Sequence, residues 1–130
     1  MDVDCWCPSR SFYSRYCIMT LWFDGSHTGY GYVLGREERF FEREGNTLEA
    51  EYLGLIAGLE AARVSGVLSL DIAGDSRVLI DQIMGRSSIS ENLKPFHMRV
   101  ISLLDSFPGY KLRWIPGREN PADRVSRRKP

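Results

Sequence analysis

A chain of 130 residues, 43% hydrophobic and 26% charged, has the size and composition of one globular domain able to bury a core. Its 17 lysines and arginines balance 17 aspartates and glutamates, so no bulk positive field marks a nucleic-acid binder, and any polyanion must be held by local patches. No apolar run is long enough to span a membrane and the first residues lack the order of a signal peptide, so no membrane partner is expected and a cytoplasmic location is.

The pattern divides the chain into an arm, 1–17, and a domain, 18–130. The arm mixes Trp6, Arg10, Phe12, Tyr13, Arg15 and Tyr16 with Pro8 and has little periodicity, as expected of an extension of marginal order. A basic-aromatic contact to nucleic acid is the alternative. All three cysteines, Cys5, Cys7 and Cys17, lie there, without a fourth ligand at zinc-type spacing.

The apolar run 18–23, broken only by Thr20, predicts a central strand covered on both faces. It leads into Asp24, Gly25 and Ser26. A carboxylate at the tip of a buried strand is poorly solvated and calls for a cation. Runs 29–34 and 39–43, joined by a turn over 35–38, predict two further strands in an antiparallel hairpin.

Leu48, Tyr52, Leu55, Ile56, Leu59 and Ala62 share one face at spacings of three and four, which predicts a helix over 48–65, capped by Asn46 or Thr47 and stopped at Gly66. Glu51 lies on the edge of that stripe beside Gly54 and Gly58, whose small size lets the edge approach a sheet, so Glu51 points toward packing. Glu49 and Glu60 read as solvated charges. Leu68, Leu70 and Ile72 alternate with small or polar residues as a strand that finishes at Gly74-Asp75-Ser76, a second strand-end carboxylate.

A short helix over 76–84 and a polar loop over 85–90 precede an amphipathic helix over 92–107, ended by Pro108-Gly109. Alternation over 110–115 predicts the last strand, 116–120 a loop, and Pro121 the start of a short helix containing Asp123. So brief a final helix suggests that Asp123 is held less firmly than its partners. Three strands, then helix, strand, helices, strand and helix make an α/β fold with helices on the faces of a mixed sheet.

Each strand-end aspartate alone reads as a turn or a cap. Together, Asp24, Glu51, Asp75 and Asp123 on one side of a sheet would repel one another unless divalent cations sat between them, and oxygen-only donors favour Mg²⁺ or Mn²⁺ over zinc. Such a cluster suits two-metal phosphodiester chemistry.

Phe23-Asp24-Gly25-Ser26, then Glu49-Ala50-Glu51-Tyr52 with the run 55–62, then Gly74-Asp75-Ser76, Trp114-Ile115-Pro116 and Asn120-Pro121-Ala122-Asp123 resemble type 1 ribonuclease H in sequence and order, over about 18–128. The resemblance implies a mixed five-stranded sheet, three antiparallel strands followed by parallel additions, flanked by helices. It implies a monomeric endonuclease that cuts the RNA strand of RNA/DNA hybrids to leave 5′-phosphate and 3′-hydroxyl ends, with two Mg²⁺ or Mn²⁺ ions. Asp24 would bridge the ions, with Glu51 and Asp75 on one and Asp123 on the other. Gly25, Ser26, Asn46, Thr47, Ser76, Arg77 and Arg118 would contact substrate. A catalytically weak module of the same fold, binding hybrid or structured nucleic acid, is the alternative; retention of all four acidic positions argues against it.

The chain departs from the family pattern at several points. Thr47 and Leu48 stand where the family has two asparagines, with Asn46 one place earlier, and Arg77 stands where many members have glutamine. The loop 116–120 lacks the family's histidine, and the stretch between Gly85 and Asn92 is too short for a basic handle. Arg124, Arg127, Arg128 and Lys129 then form the best basic patch, whose contacts would make binding salt-dependent. His27, in the turn after Asp24, and His97 fall outside the motifs.

Overall fold

Five strands form one mixed sheet in the computed structural model, which describes residues 18–126. In chain order the elements are β1 (Ile18–Ser26), β2 (Gly29–Leu34), β3 (Glu37–Glu42), α1 (Thr47–Val64), β4 (Ser69–Gly74), α2 (Arg77–Ile83), α3 (Lys94–Leu104), β5 (Gly109–Trp114) and α4 (Pro121–Ser126). The sheet order is β3-β2-β1-β4-β5, antiparallel across β3, β2 and β1 and parallel across β1, β4 and β5. This is the α/β architecture expected from the sequence. The arm 1–17 and residues 127–130 lie outside the described residues, among which no helix is long and apolar enough to cross a membrane.

Alternation along the strands sorts the side chains into two layers. Leu21 and Phe23 of β1 and Leu70 and Ile72 of β4 join Tyr52, Leu55 and Leu59 of α1, Leu79 of α2 and Val100, Leu103 and Leu104 of α3 in the main core. On the opposite face a smaller cluster joins Val33, Trp22 and Phe40 to Ala122 and Val125 of α4. The strand β1 is therefore covered on both faces only toward its C-terminal end; Ile18, at the other end, is 57% exposed.

Several boundaries differ from the sequence expectation. Strand β1 continues through Asp24, Gly25 and Ser26 because these pair with Gly31, Tyr30 and Gly29, leaving a two-residue turn at His27-Thr28. Strand β3 begins at Glu37, so the preceding turn shrinks to Gly35-Arg36, with Gly35 in the left-handed region at φ 59°. The helix expected over 92–107 is a 3₁₀ turn, Glu91–Leu93, followed by α3 with Pro95 in its first turn, where the missing N–H costs nothing. Strand β5 is an edge: Leu112 reaches the core, while Tyr110 and Trp114 on the same side remain 46% and 40% exposed.

Helix α1 rests on β1 at backbone contact. A Cβ on Gly25 would lie 2.3 Å from the Ala50 carbonyl carbon and the Glu51 nitrogen, and one on Gly54 would lie 2.6 Å from the Asp24 carbonyl oxygen. Neither neighbour is a side chain that could swing away. Gly25→Ala or Gly54→Ala is expected to lower the unfolding free energy by about 3 kcal/mol in urea titrations. Gly109→Ala, whose Cβ would meet only Ser69 Oγ at 3.5 Å, should stay within about 0.5 kcal/mol of the parent.

Candidate active site

Parallel pairing of β1 with β4 sets Phe23 against Gly74, so Asp75, the next residue of the β4 chain, emerges beside Asp24. Helix α4 brings Asp123 to the same place, and one carboxylate oxygen from each of the three aspartates lies within 4.8 Å of the others. They line a cavity of about 330 Å³ with Gly25, Ser26, His27, Thr47 and Glu51. Glu51 stands outside the tight cluster of three. Its carboxylate accepts from the Ser76 hydroxyl, which in turn caps α2 by accepting from the Leu79 N–H at 3.3 Å.

Asp24 is only 4% exposed. The fully buried Ser126 hydroxyl lies 3.1 Å from its Oδ2 and donates to it, at the same distance from the Asp123 carbonyl. Asn120, also buried, donates from Nδ2 to the Phe23 carbonyl at 3.0 Å and accepts the Ala122 N–H at 3.0 Å. These bonds correct the expectation that Asp123 is loosely held: α4 is short, but Ala122, Val125 and Ser126 have no exposed surface. Gly117 passes close to Asp75, since a Cβ there would sit 2.9 Å from Asp75 Oδ2.

Burial, the nearby Asp75 charge and a hydrogen bond with Asp123 push the Asp24 carboxyl up to about 8, against a smaller opposing effect of the Gly25 backbone. Burial likewise pushes Glu51 up to about 7, with the Ser76 hydroxyl opposing and Asp75 reinforcing the shift. Charge is thus concentrated where water is scarce. An all-oxygen donor set of this kind fits a hard divalent cation.

The other residues singled out in the sequence divide. Asn46, not Thr47, caps α1, accepting the Glu49 N–H at 2.9 Å, while Thr47 faces the cavity. The Ser26 hydroxyl, at the cavity wall, is 3.1 Å from the Ser126 carbonyl and 3.3 Å from that of Gly29. Arg77 lies over the Trp114 ring, 4.3 Å from its centroid. Arg118 is exposed in the 3₁₀ turn Gly117–Glu119 and does not line the cavity. Of the basic patch, Arg124 pairs with Glu38 at 3.1 Å, and Arg127, Arg128 and Lys129 lie outside the described residues.

Glu49 corrects another expectation: it is not a free solvated charge but pairs with Arg43 at 2.8 Å across the loop before α1. Glu60 is exposed as expected and meets Arg99 at 2.7 Å. Sequence reasoning missed Ser126, although its place one helical turn after Asp123 was a signal, and missed the Trp114 indole, which donates to the Asp75 carbonyl at 3.2 Å.

An acidic cavity at this point of a β3-β2-β1-β4-β5 sheet defines a ribonuclease H-like domain. Residues 28–128 match the family described as reverse transcriptase-like, and the chain belongs to that family, and with it to the ribonuclease H family. The matched range holds Glu51, Asp75 and Asp123; Asp24 precedes it. The bifunctional protein Rv2228c of Mycobacterium tuberculosis is 30% identical over 96 residues, which are 72% of this chain and 26% of that protein. The chain thus spans about a quarter of the length of the curated relatives it matches.

The N-terminal RNase H domain of Rv2228c, solved as a fusion with maltose-binding protein, superposes with a TM-score of 0.73 at 25% identity, covering 83% of this chain and 89% of that one. RNase H1 from the archaeon Halobacterium salinarum gives 0.77 at 27% identity, covering 83% and 93%. LC11-RNase H1, solved in complex with RNA/DNA hybrid, shares the fold at 0.71 and 21% identity, covering 83% and 91%.

A carboxyl whose folded-state pKa exceeds its unfolded value binds its proton more tightly when folded, so the stability it contributes is present at low pH and lost as pH rises through the folded value. For Glu51 and Asp24 those values are about 7 and about 8. The metal-free melting temperature is therefore expected to fall between pH 5 and 9, by the equivalent of about 2 kcal/mol or more. Asp24→Asn, which keeps an acceptor for Ser126 and removes a charge, should raise that temperature and flatten its slope. Differential scanning calorimetry in EDTA checks both; a flat or rising profile in the parent protein would contradict the reading.

Proposed function

We propose that the chain is a divalent-metal-dependent endonuclease that hydrolyses the RNA strand of RNA/DNA hybrids. The observation that carries this reading is the convergence of Asp24, Asp75 and Asp123 within 4.8 Å, with Glu51 on the same cavity. The relatives supply the substrate class: two are RNase H1 or an RNase H domain by name, and a fold neighbour was solved on RNA/DNA hybrid.

In this reading Asp24, Asp75 and Asp123, with Glu51 on the same cavity, would together hold two Mg²⁺ or Mn²⁺ ions. When bound, such ions supply activation of the attacking water and stabilisation of the charge that develops on the phosphate. The protein's own contribution is position. Ser126 fixes the rotamer of Asp24, Ser76 steadies Glu51, and Asn120 ties the loop before Asp123 to the strand that carries Asp24. The P–O3′ bond breaks, leaving 5′-phosphate and 3′-hydroxyl ends. Gly25, Ser26, Thr47 and His27 form the rim along which the strand lies, with Asn46, Ser76, Arg77 and Arg118 as the further contacts. The enzyme acts as a monomer.

The test incubates the protein with labelled RNA/DNA hybrid, duplex RNA and duplex DNA in Mg²⁺, Mn²⁺ or EDTA. Cleavage is expected of the hybrid's RNA strand alone, absent in EDTA, and reduced about a thousandfold or more by Asp24→Asn. Hybrid cleavage that persists in EDTA or in Asp24→Asn would sink the metal assignment. Tight hybrid binding without cleavage in either ion would leave a binding module in place of an enzyme.

A further inference from the structure

Arg77 differs from most arginines on this surface. Arg39, Arg43, Arg86, Arg99, Arg113 and Arg124 each face a carboxylate. Arg77, although only two residues from Asp75, has no ion pair among the described residues and instead lies over the Trp114 ring, its guanidinium carbon 4.3 Å from the centroid. A guanidinium over an aromatic face gains the cation–π attraction without using its N–H groups, which stay available to an anion.

The ring beneath is itself fixed. Trp114 ends β5, and its indole N–H donates to the Asp75 backbone carbonyl at 3.2 Å, so the plate is indexed to a residue of the acidic cavity. Both partners are open: Trp114 is 40% exposed and Arg77 is exposed on the first turn of α2. A permanent cation held over a ring, without an ion pair among the described residues and two residues from Asp75 of the acidic cavity, suits one class of ligand, the phosphate backbone of a nucleic-acid strand.

We infer that Arg77 stacked on Trp114 forms a phosphate-binding plate that grips the substrate strand beside the cavity, at a phosphate other than the one cleaved. The inference rests on the hybrid-nuclease reading. Trp114 acts through Arg77 and is a positioning residue.

The experiment measures binding of a fluorescein-labelled RNA/DNA hybrid by anisotropy over a range of salt concentrations. It uses the full chain carrying Asp24→Asn in EDTA, so that cleavage plays no part. Adding Arg77→Gln is expected to weaken binding about fivefold or more and to reduce the salt slope by about one, the signature of one lost phosphate contact. Trp114→Leu should cost as much, the double variant no more than either single one, and Trp114→Phe, which keeps a ring, far less. Melting temperatures check folding; should Trp114→Leu not fold, Arg77→Gln and Trp114→Phe carry the test.

Unchanged affinity in Arg77→Gln overturns the plate, as does a loss with an unchanged salt slope, which would mean a base-edge contact. Additive losses overturn the coupling to Trp114. If the Asp24→Asn parent itself fails to bind hybrid, the functional reading falls and the plate with it. If the parent binds and the Arg77 variant binds equally, only the plate falls.

Discussion

The contact on which the structure depends is the one between two backbones, where Gly25 of β1 meets Ala50 and Glu51 of α1, and Gly54 meets the Asp24 carbonyl. Side chains at these positions would hold the helix off the sheet by a methyl layer or more. Because they are absent, the main chain at Glu51 lies against the residue that follows Asp24. A side chain from a helix and one from a strand, 27 positions apart in the sequence numbering of Asp24 and Glu51, thereby reach one cavity. The two parallel pairings of β4 do the rest, carrying Asp75 to the same end of the sheet and β5 alongside it.

What this assembly costs is visible in its electrostatics. Three aspartate oxygens within 4.8 Å, one side chain nearly inaccessible to water, would be ruinous if fully ionised, and among the described residues the fold answers with hydroxyls and with protons rather than with a lysine or arginine. Ser126 and Ser76 each give one hydrogen bond, and the raised affinities of Asp24 and Glu51 for protons absorb part of the repulsion. A side chain with a fixed positive charge would have satisfied the cluster permanently and closed it. A cluster left without such a charge would keep stability in reserve for an exchangeable cation, the usual trade of stability for activity.

The fold and the carboxylates were legible in the sequence for a local reason: Leu21-Trp22-Phe23 before Asp24, and the three-four spacing of Leu48 to Ala62 around Glu51, record burial directly. What was not legible depended on partners far along the chain. The extension of β1 through Ser26 is set by β2, the exposure of Tyr110 and Trp114 by the place of β5 at the sheet edge among the described residues, and the pairing of Glu49 by a loop that returns Arg43 to it. Ser126 shows the same limit from the other side. A serine in a short terminal helix reads as a surface residue until α4 is docked and the hydroxyl is found against Asp24.

Helix α4 has six residues, too few to be helical in isolation, and it covers the small cluster of Val33, Trp22 and Phe40 almost by itself. Its helical state is thus maintained by docking, through the buried Ala122 and Val125 and the Ser126 hydroxyl on Asp24. Asp123 and Ser126 ride on it together, so the docking that places Asp123 at the cavity also sets the hydrogen bond to Asp24. A cation held among these carboxylates would fasten the same helix to the sheet, and amide protection in α4 would then rise with it. The shape of the acidic cavity and the docking of this helix are, in this architecture, one packing problem.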